Sequence, residues 1–137
     1  MVDPPGKTLI VGASYIALET AGFLSEFGFP TTVMVRSMLL RGFDQDMARR
    51  IGTYMENHGT QFLHQCHPTK IEKRGDRLAV SYVDAKGHAG TDDFDTVMLA
   101  TGRKPATDFL RLDLAGVNYD LVTGTLSGLS VYVVSKP

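Results

Sequence analysis

The sequence predicts an α/β domain: a parallel sheet with flanking helices, followed by an antiparallel β-meander. Three observations carry that expectation. A strand, a tight turn, a helix and a second strand follow one another within the first 35 residues, the βαβ order that joins two parallel strands. Thr8-Leu9-Ile10-Val11 and Thr96-Val97-Met98-Leu99-Ala100 are apolar runs without alternation, as suits strands covered on both faces. After Pro68 the pattern shifts to short alternating stretches joined by Gly-containing turns, which is how antiparallel strands read.

Element by element, Thr8 to Val11 is a buried strand after Pro4-Pro5-Gly6. From Tyr15 to Phe27, Ile16, Leu18, Ala21, Phe23, Leu24 and Phe27 fall mostly at helical spacing, with Gly28 and Pro30 as stops. Thr31 to Val35 is a second, β-branched strand. A loop from Arg36 to Phe43 leads to a second helix, with Asp44 as its N-cap and Met47, Ile51 and Met55 as its expected inward stripe. Asn57-His58-Gly59 ends that helix, and Gln61 to His64 reads as a third parallel strand. Lys70 to Lys73, Leu78 to Val83 and Thr91 to Phe94 form the expected meander, packed on the parallel sheet. Thr96 to Ala100 completes the parallel set and ends at Thr101-Gly102-Arg103.

A chain of 137 residues is the length of one domain and buries enough surface for a core without staples. The net charge of −1 supplies no basic field for nucleic acid or an anionic membrane. No apolar run approaches the ~20 residues of a membrane span, and Met1 to Gly6 lacks the features of a signal peptide. Cys66 is the single cysteine. It excludes an internal disulfide or a Cys-x-x-Cys pair and suits a reducing compartment.

The first strand–helix junction reads Gly12-Ala13-Ser14-Tyr15-Ile16-Ala17. The dinucleotide fingerprint is Gly-x-Gly-x-x-Gly/Ala at such a junction. Its first glycine permits a tight turn, its second lets backbone approach a pyrophosphate, and its last position must be small for close helix packing. Gly12 and Ala17 meet the outer demands, and Ser14 departs at the middle one. A pyrophosphate there would be stabilised by free N–H groups and the positive end of the helix dipole. Tight packing alone also produces small-residue turns of this kind.

The end of the second strand is the next test. Domains of this Rossmann-like type that prefer NAD place Asp or Glu there to bind the ribose. This chain has Arg36 and Ser37, with Arg41 shortly after. An acid repels a 2′-phosphate, whereas a guanidinium pairs with it. Two such contacts would favour NADPH over NADH by roughly two to four decades. The competing reading is a pair of solvated surface arginines.

Taken together, Gly12 to Glu19, Val33 to Asp44 and Ala100-Thr101-Gly102-Arg103 resemble the NADPH domain of the large, animal-type thioredoxin reductases, within the pyridine nucleotide–disulfide oxidoreductases. The resemblance runs from about Pro5 to about Leu126 and is most specific from Arg36 to Asp44. Thioredoxin–glutathione reductases share the same pattern, and these residues do not separate the two. It implies an NADPH-binding domain over residues 1–126, with an atypical tail over residues 127–137. In such enzymes NADPH reduces FAD, and the flavin reduces a disulfide that passes electrons to thioredoxin. The implied cofactor-binding residues are Gly12, Ala13, Ser14, Tyr15, Ile16, Glu19, Arg36, Ser37, Arg41, Gly102 and Arg103.

By that resemblance, Tyr15 covers the flavin until nicotinamide displaces it, and Ile16 lines the nicotinamide pocket. Glu19 contacts the nicotinamide end and pairs with a lysine from a flavin domain, the alternative in this chain being a solvated residue. Gly102 passes close to the dinucleotide, and Arg103 makes either a cofactor contact or an inter-domain ion pair. The alternative for Tyr15 is an aromatic packed on the sheet. The family's flavin fingerprint, redox cysteine pair, dimerisation domain and catalytic histidine have no counterpart in this sequence, so no catalytic residue is expected in it. The isolated chain is expected to be inactive, whether an excised domain or a natural truncation. The flavin domain and thioredoxin are the implied partners, within a homodimeric enzyme of the cytoplasm or its mitochondrial form. A binding or regulatory module that senses NADPH without catalysis is the alternative function.

Other features carry less. His64-Gln65-Cys66-His67 superficially suggests a metal site, but it spans a strand end and lacks a fourth ligand, so no metal is expected. Met34, Met38, Met47, Met55 and Met98 read as core, and Arg49 and Arg50 as a solvated helix face. Asp92, Asp93 and Asp95 read as charges that discourage pairing at a sheet edge. Val131-Tyr132-Val133-Val134 reads as an added edge strand of no assigned role.

Overall fold

A computed structural model describes residues 3–102, 108–114, 116–119 and 126–127. The chain divides into two compact units, Met1–Gly102 and Arg103–Pro137. In the first, β1 (Thr8–Val11), α1 (Tyr15–Glu26), β2 (Thr31–Val35), α2 (Gln45–Asn57) and β3 (Gln61–His64) alternate as the sequence predicts. Then come β4 (Cys66–Arg74), β5 (Arg77–Asp84) and β6 (Ala89–Phe94), and finally β7 (Thr96–Leu99).

The parallel sheet has the order β3-β2-β1-β7. Val11 pairs with Met34 on one side and Leu99 on the other, so the carboxyl ends of the three strands are level. One face is covered by both helices. Its core contains Ile10, Val33 and Val35 from the sheet, Ala17, Leu18 and Ala21 from α1, and Ala48 and Met55 from α2. The other face packs on the meander, through Leu9, Val11 and Met34 against Cys66, Val80 and Phe94. Both helices therefore lie on one side of the sheet, and the β4-β5-β6 meander takes the place of helices on the other.

Helix phase differs from the sequence reading in both helices. In α2 the buried residues are Ala48, Gly52 and Met55, while Met47 and Ile51 are 61% and 42% exposed. In α1 they are Ala17, Leu18 and Ala21, while Phe23 and Phe27 stand outside with ring centroids 4.7 Å apart. The buried positions are mostly small side chains, Ala17 and Ala21 in α1 and Ala48 and Gly52 in α2, beside Leu18 and Met55. Of the methionines read as core, Met34 and Met55 are buried and Met98 half-buried, but Met38 and Met47 are exposed. Arg49 and Arg50 are exposed, as expected, and Arg49 pairs with Asp46.

The caps follow the sequence closely. Asp44 accepts a hydrogen bond from Met47 N at 2.9 Å, the N-cap geometry of the second helix. The meander begins at Cys66, before Pro68, and a register shift between Pro68 and Lys70 accommodates the proline on an edge strand. The acidic residues do more than guard an edge. Asp92 accepts from Lys7 Nζ at 2.7 Å through both oxygens. Asp95 accepts from Lys7 N at 2.7 Å and pairs with Arg77 at 3.1 Å. They fasten the start of the chain to the β6–β7 corner.

In the second unit the described residues form a 3-10 turn at Asp108–Leu110 and a short antiparallel pair, β8 (Asn118–Tyr119) with β9 (Leu126–Ser127). The edge strand read at residues 131–134 and the tail beyond Ser127 lie outside the described residues. No helix among the described residues is long and apolar enough to cross a membrane.

Candidate functional site

The level carboxyl ends of β1, β2 and β7 open into a cleft of about 800 Å³, well within the range of small-molecule sites. Its position beyond the ends of parallel strands is where open α/β sheets bind ligands. Each wall follows from local chemistry.

The floor is the turn after β1. Gly12 N donates to Met34 O at 3.0 Å, and Ala100 N donates to Val11 O at 2.8 Å, which extends the parallel ladders past the strand ends. Gly12 has φ +133°, and a Cβ there would collide with the Ala100 carbonyl. Only glycine satisfies that position. Ser14 is the N-cap of α1 but makes no side-chain cap bond, and the first turn holds no acidic residue. The first intrahelical bond is Leu18 N to Ser14 O at 3.1 Å, so the amides of residues 15–17 have no partner within the helix. Ser14, like the glycine it replaces in the fingerprint, thus leaves these donors free for an anion.

The second wall is the loop after β2. Arg36, Ser37 and Arg41 all line the cleft and are exposed. Arg41 Nη2 donates to Ser37 Oγ at 2.9 Å, which folds the guanidinium back along the loop. Leu40 N donates to Ala13 O at 2.8 Å and joins this loop to the glycine turn. No carboxylate lines the cleft among the described residues.

Of the residues singled out from sequence, Gly12, Ala13, Ser14, Tyr15, Arg36, Ser37 and Arg41 line this one cleft. Tyr15 is 53% exposed, which argues against the packed-aromatic reading. Ile16 is half-buried and Glu19 exposed, and neither lines the cleft. Glu19 makes no ion pair among the described residues. Gly102 lies one position beyond the lining residue Thr101, and Arg103 lies outside the described residues.

The segment from His64 to His67 is split by geometry. Gln65 takes φ +55° and swings the chain from the parallel sheet into the meander. His64 Nε2 lies 3.3 Å from Glu56 Oε1 and its ring stacks on Phe62. Cys66 turns into the core and donates to His64 O at 3.2 Å. Burial, reinforced by the charge of Asp84, pushes its thiol up from the ordinary range. Cys66 nonetheless borders the cleft, together with His67 and Pro68. Sequence reading missed them as cleft residues, although they directly follow a parallel strand, where the carboxyl-end rule points.

Residues 2–123 match the family described as pyridine nucleotide-disulphide oxidoreductase. The chain belongs to this family. The thioredoxin reductase SEP1 of Emiliania huxleyi is 49% identical over 116 residues, covering 84% of this chain and 23% of that protein. Among solved structures, the Cu(II) complex of the flavoprotein disulfide reductase RclA from Escherichia coli superposes with a TM-score of 0.75 at 26% identity, over 88% of this chain and 26% of that one. A mutant of RclA matches with a TM-score of 0.73. The chain thus spans about a quarter of the length of each relative. The family is one of oxidoreductases, and its fold agrees with the parallel sheet, helices and meander described above.

Proposed function

We propose that this chain is the NADPH-binding domain of a flavin-dependent thioredoxin-disulfide reductase. The carrying observation is the cleft wall at the end of β2, which presents Arg36, Ser37 and Arg41 and no carboxylate among the described lining residues. At that place an acidic residue would bind the ribose of NAD, whereas guanidinium groups suit a 2′-phosphate. Identity to a thioredoxin reductase over 116 residues supports the assignment of the parent enzyme.

In this reading the Gly12–Ser14 backbone and the first turn of α1 hold the pyrophosphate. Arg36, Arg41 and Ser37 hold the 2′-phosphate, with Arg103 as a further contact. Tyr15, Ile16 and Glu19 serve the nicotinamide end, and Gly102 borders it. Bound NADPH supplies a hydride to FAD held by another domain of the parent enzyme. The redox cysteines belong to that remainder, since Cys66 is a single buried thiol. Thioredoxin as substrate, a homodimeric parent and a cytoplasmic or mitochondrial location complete the reading, as does a domain extending over residues 1–126.

Titration calorimetry tests the binding half. NADPH and 2′,5′-ADP should bind, and NADH and 5′-AMP should bind at least tenfold more weakly. Arg36→Ala should lower 2′,5′-ADP affinity by about one to two decades and leave 5′-AMP unchanged. Equal affinity of the unsubstituted chain for 2′,5′-ADP and 5′-AMP would overturn the assignment.

A further inference from the structure

The arginine loop is held from beneath by a residue that does not itself line the cleft. Gln45, the first residue of α2, points its side-chain amide back under the loop. Its Nε2 lies 3.1 Å from Phe43 O, 3.3 Å from Leu40 O and 3.4 Å from Leu39 O. Three carbonyl oxygens converge on one group, so that group must be a donor, and the amide nitrogen has two hydrogens to share among them.

The same loop contains a second signal. Leu40 has φ +47°, the left-handed region that costs a branched, Cβ-bearing residue about 1–2 kcal/mol. It is nonetheless buried, at 8% exposure, within the core cluster under both helices. Its N–H donates to Ala13 O of the glycine turn. Beside it Leu39 seats a methyl group against α2 at Gly52, where a Cβ would collide with it. Such backbone strain persists only where the surroundings over-determine it, and here they do so between Arg36 and Arg41.

We infer that Gln45 is a positioning residue for nucleotide selectivity: by hydrogen bonding the Leu39, Leu40 and Phe43 carbonyls it holds Arg36 and Arg41 where a 2′-phosphate is bound. The inference rests on the NADPH reading of the cleft. It adds that selectivity depends on a neutral amide that touches no phosphate. Charge alone is not sufficient, because a loop ordered only on binding adds a backbone entropy cost to the side-chain entropy that two long arginines lose in any case.

The test is Gln45→Met in the full 137-residue chain, which keeps the side-chain length and removes the donor. Calorimetry with 2′,5′-ADP and 5′-AMP should show the ratio of affinities falling about tenfold (about 1.4 kcal/mol), through loss of 2′,5′-ADP affinity with 5′-AMP unchanged. The melting temperature should move little, because Asp44 still caps α2. Hydrogen exchange at the Leu40 amide should quicken. An unchanged ratio, or equal losses for both nucleotides with a lowered melting temperature, would show that Gln45 is only structural. If the unsubstituted chain itself shows no preference for 2′,5′-ADP, the NADPH reading falls and this inference with it. A preference that survives Gln45→Met overturns the inference alone.

Discussion

The two walls of the cleft are built from different materials. The Gly12 wall is backbone: ladder bonds to Met34 O and from Ala100 N, a φ that only glycine holds, and helix amides left without partners. The Arg36–Arg41 wall is side chains on a loop, exposed at their tips and fastened at their base by Leu40 and Gln45. A backbone wall recognises what all dinucleotides share, since any pyrophosphate accepts from amide N–H groups. A side-chain wall recognises what distinguishes them, and it can be exchanged without disturbing the sheet. In the proposed reading of the cleft, the difference would separate affinity from selectivity within one site.

Breaking the backbone wall should have the largest effect. Gly12→Ala places a Cβ against the Ala100 carbonyl at a φ that L-residues avoid. The combined strain should cost about 3 kcal/mol and lower the melting temperature by roughly 10 °C. Affinity for 2′,5′-ADP, which lacks the pyrophosphate bridge, should fall less than affinity for NADPH. A variant with unaltered stability would mean that the turn relaxes freely and that the wall is not rigid. Arg41→Ala should be milder: a three- to tenfold loss for 2′,5′-ADP, none for 5′-AMP and no change in melting temperature. Equal losses for both nucleotides would show that the loop helps to bind the shared part and that the two walls are not separable.

The walls also differ in how far the sequence discloses them. The strands of the parallel set, the Asp44 cap and the Gly12 turn follow from patterns within a few residues, and the arginines stand at the position that fold geometry assigns to the ribose determinant. What sequence hides is phase and support. The apolar stripe of α2 is offset by one residue at its first two positions, since Met47 and Ile51 outrank Ala48 and Gly52 in hydrophobicity, yet the smaller pair is buried and Gly52 makes room for Leu39. Gln45 reads as an ordinary polar residue at a helix start, because its partners are carbonyls, which carry no residue identity. The left-handed φ of Leu40 has no sequence signal at all, since leucine is a poor choice for it. Asp92 reads as an edge charge until Lys7, 85 positions away, is found against it.

That last pair belongs to neither wall and so offers the smallest and cleanest separation of stability from binding. Burial pushes the Asp92 carboxyl up, but the Lys7 hydrogen bond, the Asp93 N–H and the Lys7 charge outweigh it and hold the group below its usual value. Lys7 also lies 4.8 Å from the centroid of the buried Phe94 ring. A carboxyl with a depressed folded pKa releases its proton more readily when folded than when unfolded. The stability it contributes is therefore present above the unfolded value of about 4 and is lost as pH falls through the folded value. Both partners are partly exposed, so the contribution at neutral pH should be about 1 kcal/mol or less. Asp92→Asn should accordingly melt slightly lower than the unsubstituted chain at pH 7, approach it as pH falls through the folded value, and bind 2′,5′-ADP and 5′-AMP unchanged. Melting curves that stay parallel across that range would show that the pair contributes nothing through its charge. A shifted nucleotide affinity would show that the Lys7–Asp92 corner is coupled to the cleft after all.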